Sequence, residues 1–176
     1  MMAQTVDGII AKNNEHFPDW TCSADKRLFK RVTTEAGVLI MGSRTYRTIG
    51  KALSGRLNIV YTRHPDLMPV VENVRFVEMH PKKLIEELEV EGYQKVILTG
   101  GAEINSLFLK AKLIDELLVT ISPRLFGRGL SIFHDPTDLD LELIDHSKID
   151  AHTLLLHYRI IYDRQVQNIS EGFVTV

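Results

Sequence analysis

Residues 37–49 read GVLIMGSRTYRTI: an unbroken apolar run that meets Gly42 and turns polar. Residues 98–111, LTGGAEINSLFLKA, repeat the pattern through Gly100 and Gly101. An apolar run without alternation reads as a strand covered on both faces. A glycine followed by helical spacing reads as the turn into a covering helix. Working outward, further strands are expected at 57–62, 74–78, 95–99 and 116–122. Helices are expected at 24–34, 43–49, 81–91 and 102–111. Ser23 is a plausible N-cap for the first. The third opens on Pro81 and lines up Leu84, Ile85 and Leu88. Beyond these, runs at 139–145 and 153–162 flank the turn signal Lys148-Ile149-Asp150, which predicts an antiparallel hairpin. The expected fold class is α/β, a mostly parallel central sheet with an antiparallel C-terminal hairpin. One domain spans 1–162. Residues 163–176 are polar and loosely patterned, either a disordered tail or an arm onto a second subunit.

The chain has 176 residues, enough for one domain that needs no covalent staples. Lys plus Arg number 21 and Asp plus Glu 23, a balance that argues against a nucleic-acid-binding surface. A single cysteine, Cys22, forms no internal disulfide and suits a reducing cytoplasm. The opening MMAQTVDG lacks the apolar core of a signal peptide, and no apolar run is long enough to span a membrane.

The two glycine junctions are the first candidates for chemistry. Free N–H groups at a helix start attract anions. Arg44 and Thr45 add a charge and a hydroxyl at one of them. Two such junctions in one sheet suit a pyrophosphate, and the same glycines serve equally well as plain helix starts. There is no G-x-G-x-x-G and no Walker A sequence. Arg63 follows the strand ending Tyr61-Thr62, where ligands bind in open α/β sheets; it reads as a phosphate contact or a solvated loop residue. Asp25 lies in the first turn of a helix, where an acid favours the dipole. It also shares a stripe with Phe29 and Val32, so it faces inward. A carboxylate there needs a partner or a task. A heterocycle with an amidine-like N–H pair would supply that partner, because a carboxylate accepts two parallel bonds. The seven histidines make no metal constellation, and no nucleophile elbow is present.

Taken together, several segments resemble the dihydrofolate reductase superfamily. Trp20 to Arg31 (WTCSADKRLFKR) is similar to that family's active-site helix; Met41 to Gly50 (MGSRTYRTIG) resembles its Met-Gly-Arg-x-Thr-Trp-x-Ser-Ile-Gly. Leu53 to Val60, Thr99 to Ala102 and Leu118 to Ile121 match further segments in the same order. The resemblance implies a single-domain three-layer fold and NADPH as hydride donor. It implies catalytic roles for Asp25, Thr120 and Trp20. Phe29, Ile49 and Arg56 would bind substrate, Arg56 through a glutamate carboxylate. The cofactor would lie against Ala3, Ile10, Gly42, Ser43, Arg44, Thr45, Thr62, Arg63, Gly100, Gly101, Ala102, Glu103 and Ile104, with no metal. The segment from Val6 to Trp20 would be a lid.

Three departures stand out. Ser43 replaces a common phosphate-binding Arg, Ala102 replaces a third glycine, and the lid carries Phe17-Pro18-Asp19 as extra residues. The N-terminal strand is short. Val6-Asp7-Gly8, Gly101 to Asn105, Leu113 to Leu117 and Ser122 to Gly129 look instead like the riboflavin-pathway reductases. Two substrates are therefore expected candidates: dihydrofolate, or a ribosylaminopyrimidine phosphate. A cofactor-binding protein without turnover is the third possibility, and Asp25 argues against it. The expected partner is a small pterin or pyrimidine, bound by a monomer or homodimer.

Overall fold

The computed structural model describes residues 1–162 and the backbone of 173–175. Among these residues nine strands share one sheet: β1 (Met2–Thr5), β2 (Val38–Gly42), β3 (Leu57–Tyr61), β4 (Val74–Val77), β5 (Lys95–Leu98), β6 (Glu116–Ser122), β7 (Asp140–Lys148), β8 (Leu154–Ile161) and β9 (Phe173–Thr175). The helices are α1 (Ser23–Ala36), α2 (Ser43–Ile49), α3 (Pro81–Val90) and α4 (Ala102–Lys110). The strand order is β4-β3-β2-β5-β9-β6-β8-β7, with β1 paired to β6. β2, β3, β4 and β5 run parallel, and so do β1 and β6. β6, β8 and β7 are antiparallel.

The apolar runs are sorted by the two-residue period of a strand. Val38, Ile40, Ile59, Tyr61, Val96 and Leu98 face one side, against Leu84, Ile85 and Leu88 of α3 and Phe108 of α4. Leu39, Met41, Val60 and Ile97 face the other, against Leu28 of α1 and the partly buried Phe29, Tyr46 and Ile49. Helices on both faces make the three layers. They also leave the carboxyl ends of β2, β3, β4 and β5 at one sheet edge, which is where ligands bind in such sheets.

Some local readings differ. β1 has only four residues and no alternating pattern of its own; its parallel register with Val119 to Ser122 holds it. α1 starts one residue before the expected start. Cys22 is its N-cap, and its sulfur accepts the Asp25 N–H at 3.3 Å. The helix closes on Gly37, whose φ of +74° is the left-handed cap that favours glycine. Of the expected tail, residues 163–172 and 176 lie outside the described residues. Residues 173–175 form β9, a parallel partner of β5 in the same chain.

Candidate active site

The two glycine junctions meet. The Gly42 N–H donates to the Gly100 carbonyl at 2.8 Å, and the Thr99 N–H donates to the Ile40 carbonyl at 2.9 Å. A Cβ on Gly42 would stand 3.0 Å from Ile104 Cγ1, so a larger residue there would crowd the α4 side chain that packs on β2. Gly100 has φ +96°, and the Gly100–Gly101 peptide is cis. Gly101 is the N-cap of α4 and gives no side-chain cap. The N–H groups of Ala102 and Glu103 are therefore left without the usual capping oxygen. The Thr45 hydroxyl faces this point, 3.4 Å from where a Gly101 Cβ would lie.

Around this point opens a cavity of about 1090 Å³. That is the upper end of the range for ligand sites, roughly 300–1,000 Å³. Its wall includes Ala3, Ile10, Trp20, Asp25, Phe29, Gly42, Ser43, Arg44, Thr45, Ile49, Thr62, Arg63, Gly101, Ala102, Glu103 and Ile104. Of the residues singled out in the sequence, Gly100, Thr120 and Arg56 do not line it.

Thr120 stands directly behind the wall. It is fully buried on β6, and its hydroxyl donates to Asp25 Oδ1 at 2.7 Å. Asp25 itself is 7% exposed. This is a charge-assisted bond of ordinary length for a carboxylate, and it fixes the side chain that the α1 stripe turns inward. Trp20, on the same cavity wall, is buried, and its indole Nε1 has no hydrogen-bond partner among the described residues. Tyr61 also lines the cavity; its hydroxyl is buried with no partner among the described residues, and burial pushes its pKa well up. Buried polar atoms cost free energy unless something bonds them. Both atoms are closed off from solvent, so neither is presented to the cleft in this conformation. The bare cradle at Gly101 fits an anion.

Charges are arranged unevenly. Arg44 pairs with Glu103 at 2.8 Å, so its charge is already met by a carboxylate on the same wall. Arg56, which the resemblance implies binds substrate, does not line the cavity in this structure. It is buried behind α1, and its Nη1 donates to the Lys30 carbonyl at 3.0 Å and to the hydroxyls of Thr33 and Thr34. Burial lowers its pKa. It clamps the C-terminal half of α1 to the start of β3 and does not face the cleft.

The segment from Val6 to Trp20 crosses the cavity mouth. The Ile10 N–H donates to Leu130 O, and the Leu130 N–H to Ala11 O, each at 2.8 Å. The Asp7 carboxylate accepts the N–H groups of Phe126 and Gly127, and these bonds with Thr5 lower its pKa, Thr5 contributing most. Phe126 meets the Trp20 ring edge-on at 5.3 Å.

Sequence reasoning missed Lys26, Arg47, Tyr61, Glu78, Met79, Leu107 and His134, all of which line the cavity. Glu78 carried a readable signal. It follows the end of β4 as Thr62 and Arg63 follow the end of β3, at the same sheet edge.

The chain is similar to the uncharacterized protein YwjB of Bacillus subtilis, 26% identical over 170 residues, covering 89% of this chain and 94% of that one. It is 28% identical over 164 residues to a putative dihydrofolate reductase of Caenorhabditis elegans, covering 85% and 79%. A putative riboflavin biosynthesis protein from Shewanella sp. PV-4 has the same fold. Its TM-score is 0.70 at 21% identity, covering 91% of this chain and 96% of that one. The family model described as dihydrofolate reductase matches residues 1–151, and the chain belongs to the dihydrofolate reductase family, as an oxidoreductase of that fold.

Proposed function

We propose that the protein reduces 7,8-dihydrofolate to tetrahydrofolate with NADPH as donor. The observation that carries the reading is the Asp25 carboxylate, buried on the cavity wall and held by the Thr120 hydroxyl at 2.7 Å. With Oδ1 oriented by Thr120, the carboxylate can accept the N3–H and 2-amino group of a pterin as two parallel bonds. It also stands where a proton destined for N5 can be relayed. Phe29 and Ile49 line the same cavity and offer the ring apolar contact. NADPH, when bound, supplies a hydride to the pterin C6. The chain's own contribution is to hold the two rings in register and exclude water. The α4 N-terminus and Thr45 would take the pyrophosphate, Arg63 the 2′-phosphate, and the Val6–Trp20 segment would cover the nicotinamide.

A second reading rests on Lys26, Arg47 and the displaced Arg56. Lys26 and Arg47 line the cavity, while Arg56 turns away from it. Two cations on that wall suit the phosphate of a 5-amino-6-(5-phosphoribosylamino)uracil-type pyrimidine as well as they suit folate carboxylates. The deciding experiment measures loss of NADPH absorbance with each substrate in parallel. Turnover of dihydrofolate supports the first reading. Turnover of the pyrimidine alone replaces it with the second.

A further inference from the structure

We propose that Glu78 makes the adenosine end of the cleft a weak discriminator between NADPH and NADH, so that NADH serves as a working alternative. The inference rests on the reading that a nicotinamide dinucleotide occupies the cleft.

Glu78 lies one residue past β4 and lines the cavity together with Tyr61, Thr62, Arg63 and Met79. These residues come from the carboxyl ends of adjacent parallel strands, β3 and β4, paired from Asn58–Val74 to Tyr61–Val77. Tyr61 lines the cavity through its ring; its hydroxyl is closed off from the cleft and has no partner among the described residues. Leu107 and Met79 add apolar surface to the same cavity. This is a seat for a nucleoside, and its ribose 2′ position falls to the polar groups at the strand ends. A carboxylate at such a strand end accepts the two hydroxyls of an unphosphorylated ribose; an arginine there binds a 2′-phosphate. This chain presents one of each. Ser43 is uncharged, and Arg44 is paired with Glu103 at 2.8 Å. Arg63 therefore attracts the 2′-phosphate while Glu78 repels it and bonds the 2′-hydroxyl.

The test titrates NADPH and NADH separately into the protein without substrate, reading nicotinamide fluorescence. Far-UV circular dichroism checks that each variant is folded. The wild type is expected to bind NADPH more tightly than NADH by less than about tenfold. Glu78→Gln should widen that ratio about tenfold, by strengthening NADPH and weakening NADH. A wild-type preference for NADPH above about a hundredfold, or a ratio unmoved by Glu78→Gln, overturns the proposal while the dinucleotide reading stands. Failure of the wild type to bind either cofactor removes that reading and the proposal with it.

Discussion

Replacing Thr120 by Val removes one hydroxyl from a fully buried site and keeps the side-chain shape. What it takes from the protein is the 2.7 Å bond to Asp25 Oδ1. A hydrogen bond to a charged group contributes about 1.5–3 kcal/mol, and a buried acceptor left short of a donor incurs a cost of the same order. Thr120→Val should therefore destabilise the fold by about 2 kcal/mol. In urea, with a slope of about 2 kcal/mol/M, the midpoint should fall by about 1 M. In an Asp25→Asn background the acceptor is a neutral amide oxygen, and the same change should cost about 1 kcal/mol. The coupling between the two positions is the difference, about 1 kcal/mol. Denaturant unfolding of the four proteins, followed by circular dichroism, measures it. A cost below about 0.5 kcal/mol, or one equal in both backgrounds, would refute the argument that Thr120 supports an ionised carboxylate.

Three further outcomes are expected. A Cβ on Gly129 would stand 2.2 Å from Ala11 O and 2.5 Å from Ile9 Cγ2, so Gly129→Ala should force the Val6–Trp20 segment off its bridge with Leu130 and lower stability by about 1–3 kcal/mol; unfolding midpoints check this, and an unchanged midpoint contradicts it. Asp150 is lowered from 3.8 to about 2, first by the Cys22 thiol and then by the N–H groups of His152 and Thr153. Because the folded-state pKa is depressed, its contribution is present above about pH 4 and lost as pH falls toward 2. The stability gap between wild type and Asp150→Ala should close over that window. Arg56→Met should cost about 2 kcal/mol of stability while kcat/KM changes less than about threefold. A tenfold rise in KM at full stability would instead return Arg56 to the substrate, read from steady-state kinetics.

The strands β2, β3, β5 and β6 were legible because their runs are apolar on both faces, and only a sheet with helices on each side buries both. The two glycine junctions were legible for a local reason: a backbone that must turn and approach another backbone leaves a glycine. Asp25 was legible because helical spacing puts it on the inward stripe. The direction of Arg56 was not. An arginine at the start of a strand can reach either face, and what turned it inward was three acceptors on α1, including Thr33 and Thr34, which only the docking of α1 brings within reach. The N-cap was missed because serine is the usual capping residue, whereas here the helix starts one residue earlier and a sulfur accepts the bond. Tyr61 was read only as strand, since a tyrosine fits an apolar run; its unpartnered hydroxyl is a property of the packed cleft.

The central claim is that Asp25 binds a dihydropterin in this cleft and assists the protonation of its N5. It is tested most directly by comparing wild type and Asp25→Asn for the rate of NADPH oxidation with dihydrofolate, alongside NADPH binding measured separately. The account predicts turnover by the wild type, a loss of about a hundredfold or more in the variant, and unchanged NADPH affinity. A variant that turns over dihydrofolate at the wild-type rate would contradict it, as would a wild type inert toward dihydrofolate at every pH.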